Sequence, residues 1–343
     1  MRILLPYSNA HGRKFDDPVI TGGIEKFCHS IYETFDDVKV IEIEDVTNIK
    51  ENVELIKKSA LEYNADVVIS NWTQASFCGM KIMDCPIPIL YVCHGNHGMI
   101  STLNRFYKLK ENKHSVFFVS EYQSLFYNQM AKRTKCEFID IDGYINSGYV
   151  RGDKPKLVDW EYEICTIGRC DPSEKRPFLL KKLLKDTDIK TLVMTNRIEE
   201  GRPEYEYYQR NKDTSGTLWD LEYKDVMNNL SKSMTFFQTF WQESYGLTTL
   251  EALSRGVPVI LNTRYDYHAA ETIQSKYFWS FWKQNHCTKI PINDKDALVS
   301  AINSYRDIDR KEIQDMTWEK HSHQKWKIRF ENAIDKTIEN FKK

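Results

Sequence analysis

The chain has 343 residues, and its 48 Lys and Arg are balanced by 49 Asp and Glu. This balance argues against a protein coated in positive charge, although it leaves room for a local basic patch. The hydrophobic content of 41% is ordinary for a globular protein with a sizeable core, and the length predicts two domains. No apolar run is long enough to span a membrane, and the N-terminal segment is too short before Pro6 to fit a signal peptide.

Eight cysteines are scattered along the chain without a C-x-x-C pair. Such spacing is typical of buried thiols in a reducing compartment rather than of a disulfide framework. We therefore expect a cytoplasmic protein without membrane contact, and we expect a monomer.

Strands and helices alternate through the first 150 residues. The predicted strands are the apolar runs 2–7, 38–43, 66–70, 87–93 and 116–120. The predicted helices are 24–35, where apolar residues recur at helical spacing, and 51–63. This alternation is typical of a parallel sheet with helices on both faces.

The pattern restarts after a patternless stretch at 147–159. The predicted strands are 162–167, 190–195, 234–238 and 257–260. The predicted helices are 177–185, about ten residues from 244 or 246, 297–305, and most of 309–343. We therefore expect two α/β, Rossmann-like domains, 1–152 and 153–318, that face each other across a cleft. Residues 319–343 are expected to form a helix that packs back on the first domain.

Three polar stretches follow predicted strands, where open α/β sheets bind ligands. Gly22 and Gly23 open a helix, so a phosphate could approach their backbone; the alternative is a plain glycine turn. Arg169 and Lys175 follow the strand 162–167 and could clamp a diphosphate; the alternative is a solvated charged loop.

The third stretch is ESYGLTTLEALSRGVPVI, residues 243–260. Glu243 lies at the start of its predicted helix and Glu251 two turns later, so two carboxylates accompany free backbone N–H groups. Each glutamate alone could simply stabilise the helix or pair on its surface. Cations, N–H groups and carboxylates together are what a sugar nucleotide needs for its diphosphate and its hydroxyls.

These residues resemble the retaining glycosyltransferases of family 4, which have the GT-B fold. The resemblance is spread over nearly the whole chain, and Glu243-x7-Glu251 is its most specific part. It implies that Glu251 binds the nucleotide ribose, Glu243 the donor sugar, and Arg169 with Lys175 the diphosphate. The remaining donor contacts that it implies are Gly22, Gly23, Tyr245, Gly246 and Leu247.

A narrower resemblance is to the T-even phage α-glucosyltransferases, which glycosylate 5-hydroxymethylcytosine in DNA. It is carried by LYVCHGNHGMISTLNRFYKLKE, YEYYQRNK and LSKSMTFFQ. Those enzymes have a His-Asp-His cluster, whereas this chain has His94-Gly95-Asn96-His97, which lacks the aspartate. The spacing leaves open whether His94 or His97 takes the catalytic place, and the missing aspartate weakens a general-base role.

The implied reaction moves glucose, or a pentose such as arabinose, from a UDP-sugar with retention and without a metal. Asp-x-Asp occurs at Asp140–Asp142, Asp186–Asp188 and Asp307–Asp309, and three copies in so Asp-rich a chain favour chance. No cofactor is expected. If the chain is phage-encoded, its compartment is the host cytoplasm.

Double-stranded DNA is the expected acceptor, because residues 105–135 hold seven cations against two anions, with aromatic residues between them. Phosphate contacts of this kind give sequence-independent DNA affinity. We assign Arg105, Lys108 and Lys110 to acceptor binding; the alternative is an ordinary solvated helix face.

Two other functions stay open. One is a family-4 transferase that acts on a saccharide or lipid-linked acceptor of bacterial surface polysaccharide. The other is a non-catalytic nucleic-acid-binding protein with a vestigial cleft.

Overall fold

A computed structural model of the protein describes residues 1–343 apart from 8–13, 16–22, 44–47, 72–83, 95–105, 122, 125–126, 129–141, 174, 240–244, 264–285 and 292. The chain forms two compact units. The first unit contains residues 1–149 and 323–343, and the second unit contains residues 150–322.

The first unit is built on six parallel strands in the order β2-β1-β3-β4-β5-β6. The strands are β1 (Ile3–Tyr7), β2 (Val38–Glu42), β3 (Val67–Asn71), β4 (Ile89–Cys93), β5 (Ser115–Phe118) and β6 (Gly143–Tyr144). Helices α1 (Gly23–Thr34) and α2 (Ile49–Glu62) follow the first two strands. Every residue of β1, β3, β4 and β5 is buried, as expected of a parallel sheet covered on both faces.

The second unit is built on six further parallel strands in the order β12-β11-β10-β7-β8-β9. The strands are β7 (Tyr162–Ile167), β8 (Thr191–Thr195), β9 (Thr217–Trp219), β10 (Ser233–Gln238), β11 (Val259–Thr263) and β12 (Cys287–Pro291). Within the described residues of this unit, the helices are α3 (Leu179–Leu184), α4 (Tyr205–Asn211), α5 (Tyr223–Ser231), α6 (Leu247–Leu253), α7 (Lys295–Ser304) and α8 (Arg310–Lys320).

The strand order of the second sheet reverses between β7 and β10. Counted within this unit, the order is 3-2-1-4-5-6, which is the order of dinucleotide-binding Rossmann domains. Ligands of such sheets bind outside the carboxyl ends of the two strands at which the order reverses. The topology therefore directs attention to the residues that follow Ile167 and Gln238.

The chain returns to the first unit through its C-terminal helix, α9 (His323–Lys342). Trp326 and Phe330 of this helix pack on Phe27 of α1, with ring centroids 6.3 and 5.8 Å apart. The Trp326 indole N–H also donates to the Asn146 carbonyl at 2.8 Å. The apolar stripe of α9 therefore completes the core of the first unit.

The expected α/β class with two Rossmann-like units is confirmed. Most predicted elements lie within a few residues of the observed ones, and the strand 162–167 has the predicted bounds. The pattern missed β6, β9, β12, α4 and α5. Strands β6 and β9 have only two and three residues, too few for a periodic signal. Strand β12 has five residues but is only partly buried and carries Lys289 at its centre, so it lacks a continuous apolar run.

The six cysteines that the structure describes are buried thiols. Among the described helices, none is long and apolar enough to cross a membrane.

Gly256 ends the turn after α6 at a position where a side chain would be strained and would clash with its surroundings. Its φ is +69°, and a Cβ built there would lie 2.3 Å from the carbonyl oxygen of Arg310. The Arg310 guanidinium fixes this approach, because it donates to the carbonyls of Gly256 at 3.1 Å, Val158 at 2.9 Å and Ser231 at 2.8 Å. This one arginine thus ties four segments of the second unit together.

We predict that Gly256→Ala destabilises the second unit by roughly 3 kcal/mol, because left-handed strain and overpacking add. Gly152→Ala is the matched control: Gly152 has φ +71°, but no atom lies within 4 Å of its added Cβ. The control should be destabilised only by the left-handed strain, about 1 kcal/mol. Urea unfolding measures the free energy of unfolding of both variants, and equal decreases would show that the Arg310 contact contributes nothing.

Candidate functional site

Gly168 and Lys175 touch each other at the carboxyl end of β7. A Cβ added to Gly168 would lie 3.1 Å from the Lys175 Cβ, so any larger residue at 168 would displace the lysine. Arg169 is exposed and follows directly. The chain after β7 therefore places Arg169 and the backbone of Lys175 at the end of the strand.

This loop is tied to the neighbouring strand end through Thr239. The Thr239 hydroxyl donates to the Lys175 carbonyl, and the Arg176 guanidinium donates to the Thr239 carbonyl at 2.8 Å. Asn262 of β11 donates to the same carbonyl at 2.9 Å. Thr239 directly follows β10, so the cationic loop is anchored at the point where the strand order reverses.

Helix α6 starts beside the same strand end. Gly246 precedes the helix with φ +88°, a conformation that glycine adopts without strain. The hydroxyls of Thr248 and Thr249 donate to the Gln238 side-chain oxygen at 3.4 and 3.3 Å. The first turn of α6 and the loop 168–176 are therefore both held by the last residues of β10 and the threonine that follows it.

Glu251 lies on α6 within hydrogen-bond distance of α5. Its Oε1 accepts from the Tyr223 hydroxyl at 3.1 Å. Burial of that hydroxyl and the negative charge of Glu251 raise the pKa of Tyr223, so the phenol stays protonated and donates at neutral pH. The other glutamate of the motif, Glu243, lies outside the described residues.

Tyr245 has a structural position that the sequence did not reveal. Its side chain is only 4% exposed, and its hydroxyl lies 3.3 Å from His321 Nδ1. The burial favours an anchoring role for the phenol, and a donor contact at this residue would have to come from its backbone.

His94 lies at the carboxyl end of β4 in the first unit, in a buried polar chain. Its Nε2 is 3.3 Å from Asn71 Oδ1, and the Asn71 amide donates to Cys28 Sγ at 3.2 Å. Because the amide nitrogen faces Cys28, the Asn71 oxygen faces His94, and the imidazole proton belongs on Nε2. Burial lowers the pKa of His94 to about 3, so the ring is neutral at physiological pH. The other candidate histidine, His97, lies outside the described residues.

The glycine turn is described only in part. Gly23 is the first residue of α1, while Gly22 lies outside the described residues. The same first turn contains Glu25, which is 8% exposed. This carboxylate already stabilises the positive end of the helix dipole. Its negative charge therefore disfavours a phosphate at the same helix N-terminus.

Lys110 is engaged within the first unit. Its ammonium group contacts both oxygens of Asp142 at 2.7 Å, and the Asp142 carboxylate also accepts from the Val116 N–H and from Asn340. Such a buried pair favours a structural role over contact with an acceptor. Lys108 is exposed, and Arg105 lies outside the described residues.

Two of the three Asp-x-Asp pairs have residues in structural roles. Asp142 holds Lys110, and Asp309 caps α8 by accepting from the backbone N–H groups of Lys311 and Glu312 at 2.8 and 3.1 Å. Within the described ranges, no three His, Cys, Asp or Glu side chains form a group that could hold a metal ion.

The sequence pattern missed three residues that contact the candidate residues: Asn71 in the first unit, and Tyr223 and Thr239 in the second. Asn71 and Thr239 are polar residues at the ends of buried strands, a signal that the sequence carried. Tyr223 begins a helix that the pattern did not predict, so its approach to Glu251 had no signal.

Many solved structures share the fold of this chain. Sucrose-phosphate synthase from Thermosynechococcus elongatus matches with a TM-score of 0.67 and 13% identity, covering 96% of this chain and 97% of that one. A glycosyltransferase from Rickettsia africae matches with a TM-score of 0.63 and 15% identity, covering 99% of each chain. The apo form of the lipopolysaccharide outer core galactosyltransferase WaaB matches with a TM-score of 0.61 and 14% identity, covering 97% and 99%. The protein therefore has the fold of GT-B glycosyltransferases.

No protein-family model matches the chain, and no curated protein sequence matches it.

We predict that His94→Gln changes how stability depends on pH. In the folded protein the pKa of His94 is near 3, whereas in the unfolded chain a histidine has a pKa of about 6.5. As the pH falls below about 6.5, His94 is therefore protonated only in the unfolded chain, and the free energy of unfolding of the wild type decreases by up to about 1.4 kcal/mol per pH unit. The variant has no imidazole at this position, so this decrease is absent from it. Urea unfolding of both proteins between about pH 7 and 4 should show the variant gaining relative to wild type as the pH falls. A difference that does not change with pH would contradict the burial of a neutral His94.

Proposed function

We propose that this protein is a retaining glycosyltransferase that transfers a sugar, glucose or arabinose, from a UDP-sugar. One observation carries the proposal: Arg169 and Lys175 lie in a loop anchored where the strand order of a Rossmann-like sheet reverses. This is the position at which such sheets bind the phosphates of nucleotides. The GT-B fold of the chain supports the same assignment.

The two cations suit a diphosphate better than a neutral ligand. A guanidinium group binds two phosphate oxygens in its plane, and an ammonium group adds a point charge. Gly168 leaves room for Lys175 beside the strand end. Glu251 supplies an acceptor for ribose hydroxyls, and Glu243, Gly22, Gly23 and the N–H groups of Gly246 and Leu247 remain proposed donor contacts.

In the proposed reaction, the bond between C1 of the sugar and the β-phosphate oxygen breaks. The acceptor oxygen bonds to C1 on the same face, which retains the configuration, and its proton passes to the departing phosphate oxygen. Arg169 and Lys175 stabilise the charge that develops on that phosphate, an effect for which pre-placed groups contribute about 3–4 kcal/mol each.

His94 takes part as a neutral hydrogen-bonding group. A base with a pKa near 3 is too weak to remove a hydroxyl proton at neutral pH. With the proton on Nε2, the ring offers Nδ1 as a hydrogen-bond acceptor. This fits a reaction in which the departing phosphate receives the proton, and it agrees with the missing aspartate between His94 and His97.

The acceptor we propose is 5-hydroxymethylcytosine in double-stranded phage DNA. The support is the resemblance of three segments to phage DNA α-glucosyltransferases, together with the exposed Lys108. Because Lys110 pairs with Asp142, the proposed basic surface has one cation fewer for DNA phosphates.

A second candidate acceptor is a saccharide or lipid-linked sugar of a bacterial surface polysaccharide. It is favoured by the shared fold with a lipopolysaccharide galactosyltransferase.

We predict that the protein, incubated with hydroxymethylcytosine DNA and a panel of UDP-sugars, adds one sugar to the modified base. Mass spectrometry of the nucleosides detects the product. Arg169→Ala should lower kcat by about 100-fold to 1,000-fold, as for the loss of one charge-stabilising group. Lys185→Ala, an exposed cation just after α3, is the control and should leave the rate unchanged.

The outcomes separate the alternatives. Transfer to lipid-linked or free saccharides, with none to hydroxymethylcytosine DNA, would refute the DNA acceptor and support the second candidate. No transfer to any acceptor and no hydrolysis of any UDP-sugar would refute the enzyme and support a nucleic-acid-binding protein.

A further inference from the structure

Tyr223 and Glu251 meet on two helices that are held together independently of their contact. Arg255 follows α6, and its Nε donates to the Met227 carbonyl of α5 at 3.2 Å. Its Nη1 also donates to Ser254 Oγ at 3.0 Å, and Ser254 Oγ donates to the Glu251 carbonyl at 2.8 Å. Arg255 therefore links α5 to the end of α6 through a contact other than the hydrogen bond between Tyr223 and Glu251.

The Tyr223 side chain reaches the surface while its hydroxyl contacts the carboxylate. Tyr223 is 45% exposed, and its hydroxyl donates to Glu251 Oε1 at 3.1 Å. The contact orients the carboxylate of Glu251 towards the Tyr223 hydroxyl.

A phenol oxygen that donates to a carboxylate also has acceptor lone pairs. The Tyr223 hydroxyl and Glu251 Oε1 thus place two acceptor oxygens 3.1 Å apart, and the carboxylate lies close to the guanidinium of Arg255. Adjacent acceptors match the two neighbouring hydroxyls of a ribose, whereas a 2′-deoxyribose offers only one.

We propose that Tyr223 is a positioning residue that fixes Glu251 for the ribose of the nucleotide, and that it thereby makes the site select ribonucleotides over 2′-deoxyribonucleotides. This inference rests on the proposed function, in which Glu251 binds the ribose of the nucleotide. It adds a residue that neither the glutamate motif nor the sequence pattern indicates.

The test is binding of UDP and 2′-deoxy-UDP by isothermal titration calorimetry. Wild type should prefer UDP. Tyr223→Phe should weaken UDP binding about fivefold to tenfold, the equivalent of one hydrogen bond, and weaken 2′-deoxy-UDP binding less, so that the preference shrinks. In steady-state assays, KM for the UDP-sugar should rise by the same factor while kcat stays within about twofold.

Tyr32→Phe is the matched control, because Tyr32 is 52% exposed and belongs to α1 of the first unit. It should leave both affinities unchanged. In a Glu251→Gln background, Tyr223→Phe should have a smaller effect than in wild type, since the two residues act on one contact.

Two failures are distinguishable. If wild type binds UDP but Tyr223→Phe keeps the same affinities and the same preference, the role of Tyr223 is refuted and the glycosyltransferase proposal stands. If wild type binds no UDP, the proposed UDP-dependent function fails and this inference fails with it.

Discussion

The carboxyl end of β10 is the constraint on which the candidate site depends. Thr239 accepts from Arg176 and donates to the Lys175 carbonyl, while Gln238 accepts from the first turn of α6. The cationic loop after β7 and the helix that carries Glu251 are thus positioned by two consecutive residues. Because β7 and β10 are neighbours only in a sheet whose order reverses there, topology rather than sequence proximity assembles these groups.

The proposed chemistry divides between charged and neutral groups. The second unit holds the arginine and lysine that could stabilise a departing diphosphate. The first unit holds His94, which burial keeps neutral. A reaction in which the leaving group itself collects the acceptor proton requires charge stabilisation and no strong base, and the groups of each unit by itself are consistent with that requirement.

The sequence predicted the fold well because fully buried strands such as β1 and β4 are continuous apolar runs that carry a strong signal. The strand 162–167 and the glycine turn at Gly256 follow directly from local residues. The site was predicted less completely. Arg169, Lys175 and Glu251 stood out as charges after strands, but the partner of Glu251 lies on a helix 28 residues earlier, and only tertiary packing brings it there.

Burial changed how two predicted residues are interpreted. Lys110 has the same charge in the sequence as Lys108, yet it pairs with the buried Asp142. Tyr245 belongs to the glutamate motif, yet its hydroxyl contacts His321 inside the unit. A linear pattern contains neither fact, because both partners are distant in sequence.

Hydrogen–deuterium exchange with and without UDP tests the central claim most directly, since it locates the bound nucleotide without requiring an acceptor. The account predicts that saturating UDP slows exchange in peptides that cover residues 168–176 and 245–251, and leaves the peptides of α2 unchanged. UDP that binds without protecting either of the two segments would contradict the assignment of the diphosphate to the carboxyl ends of β7 and β10.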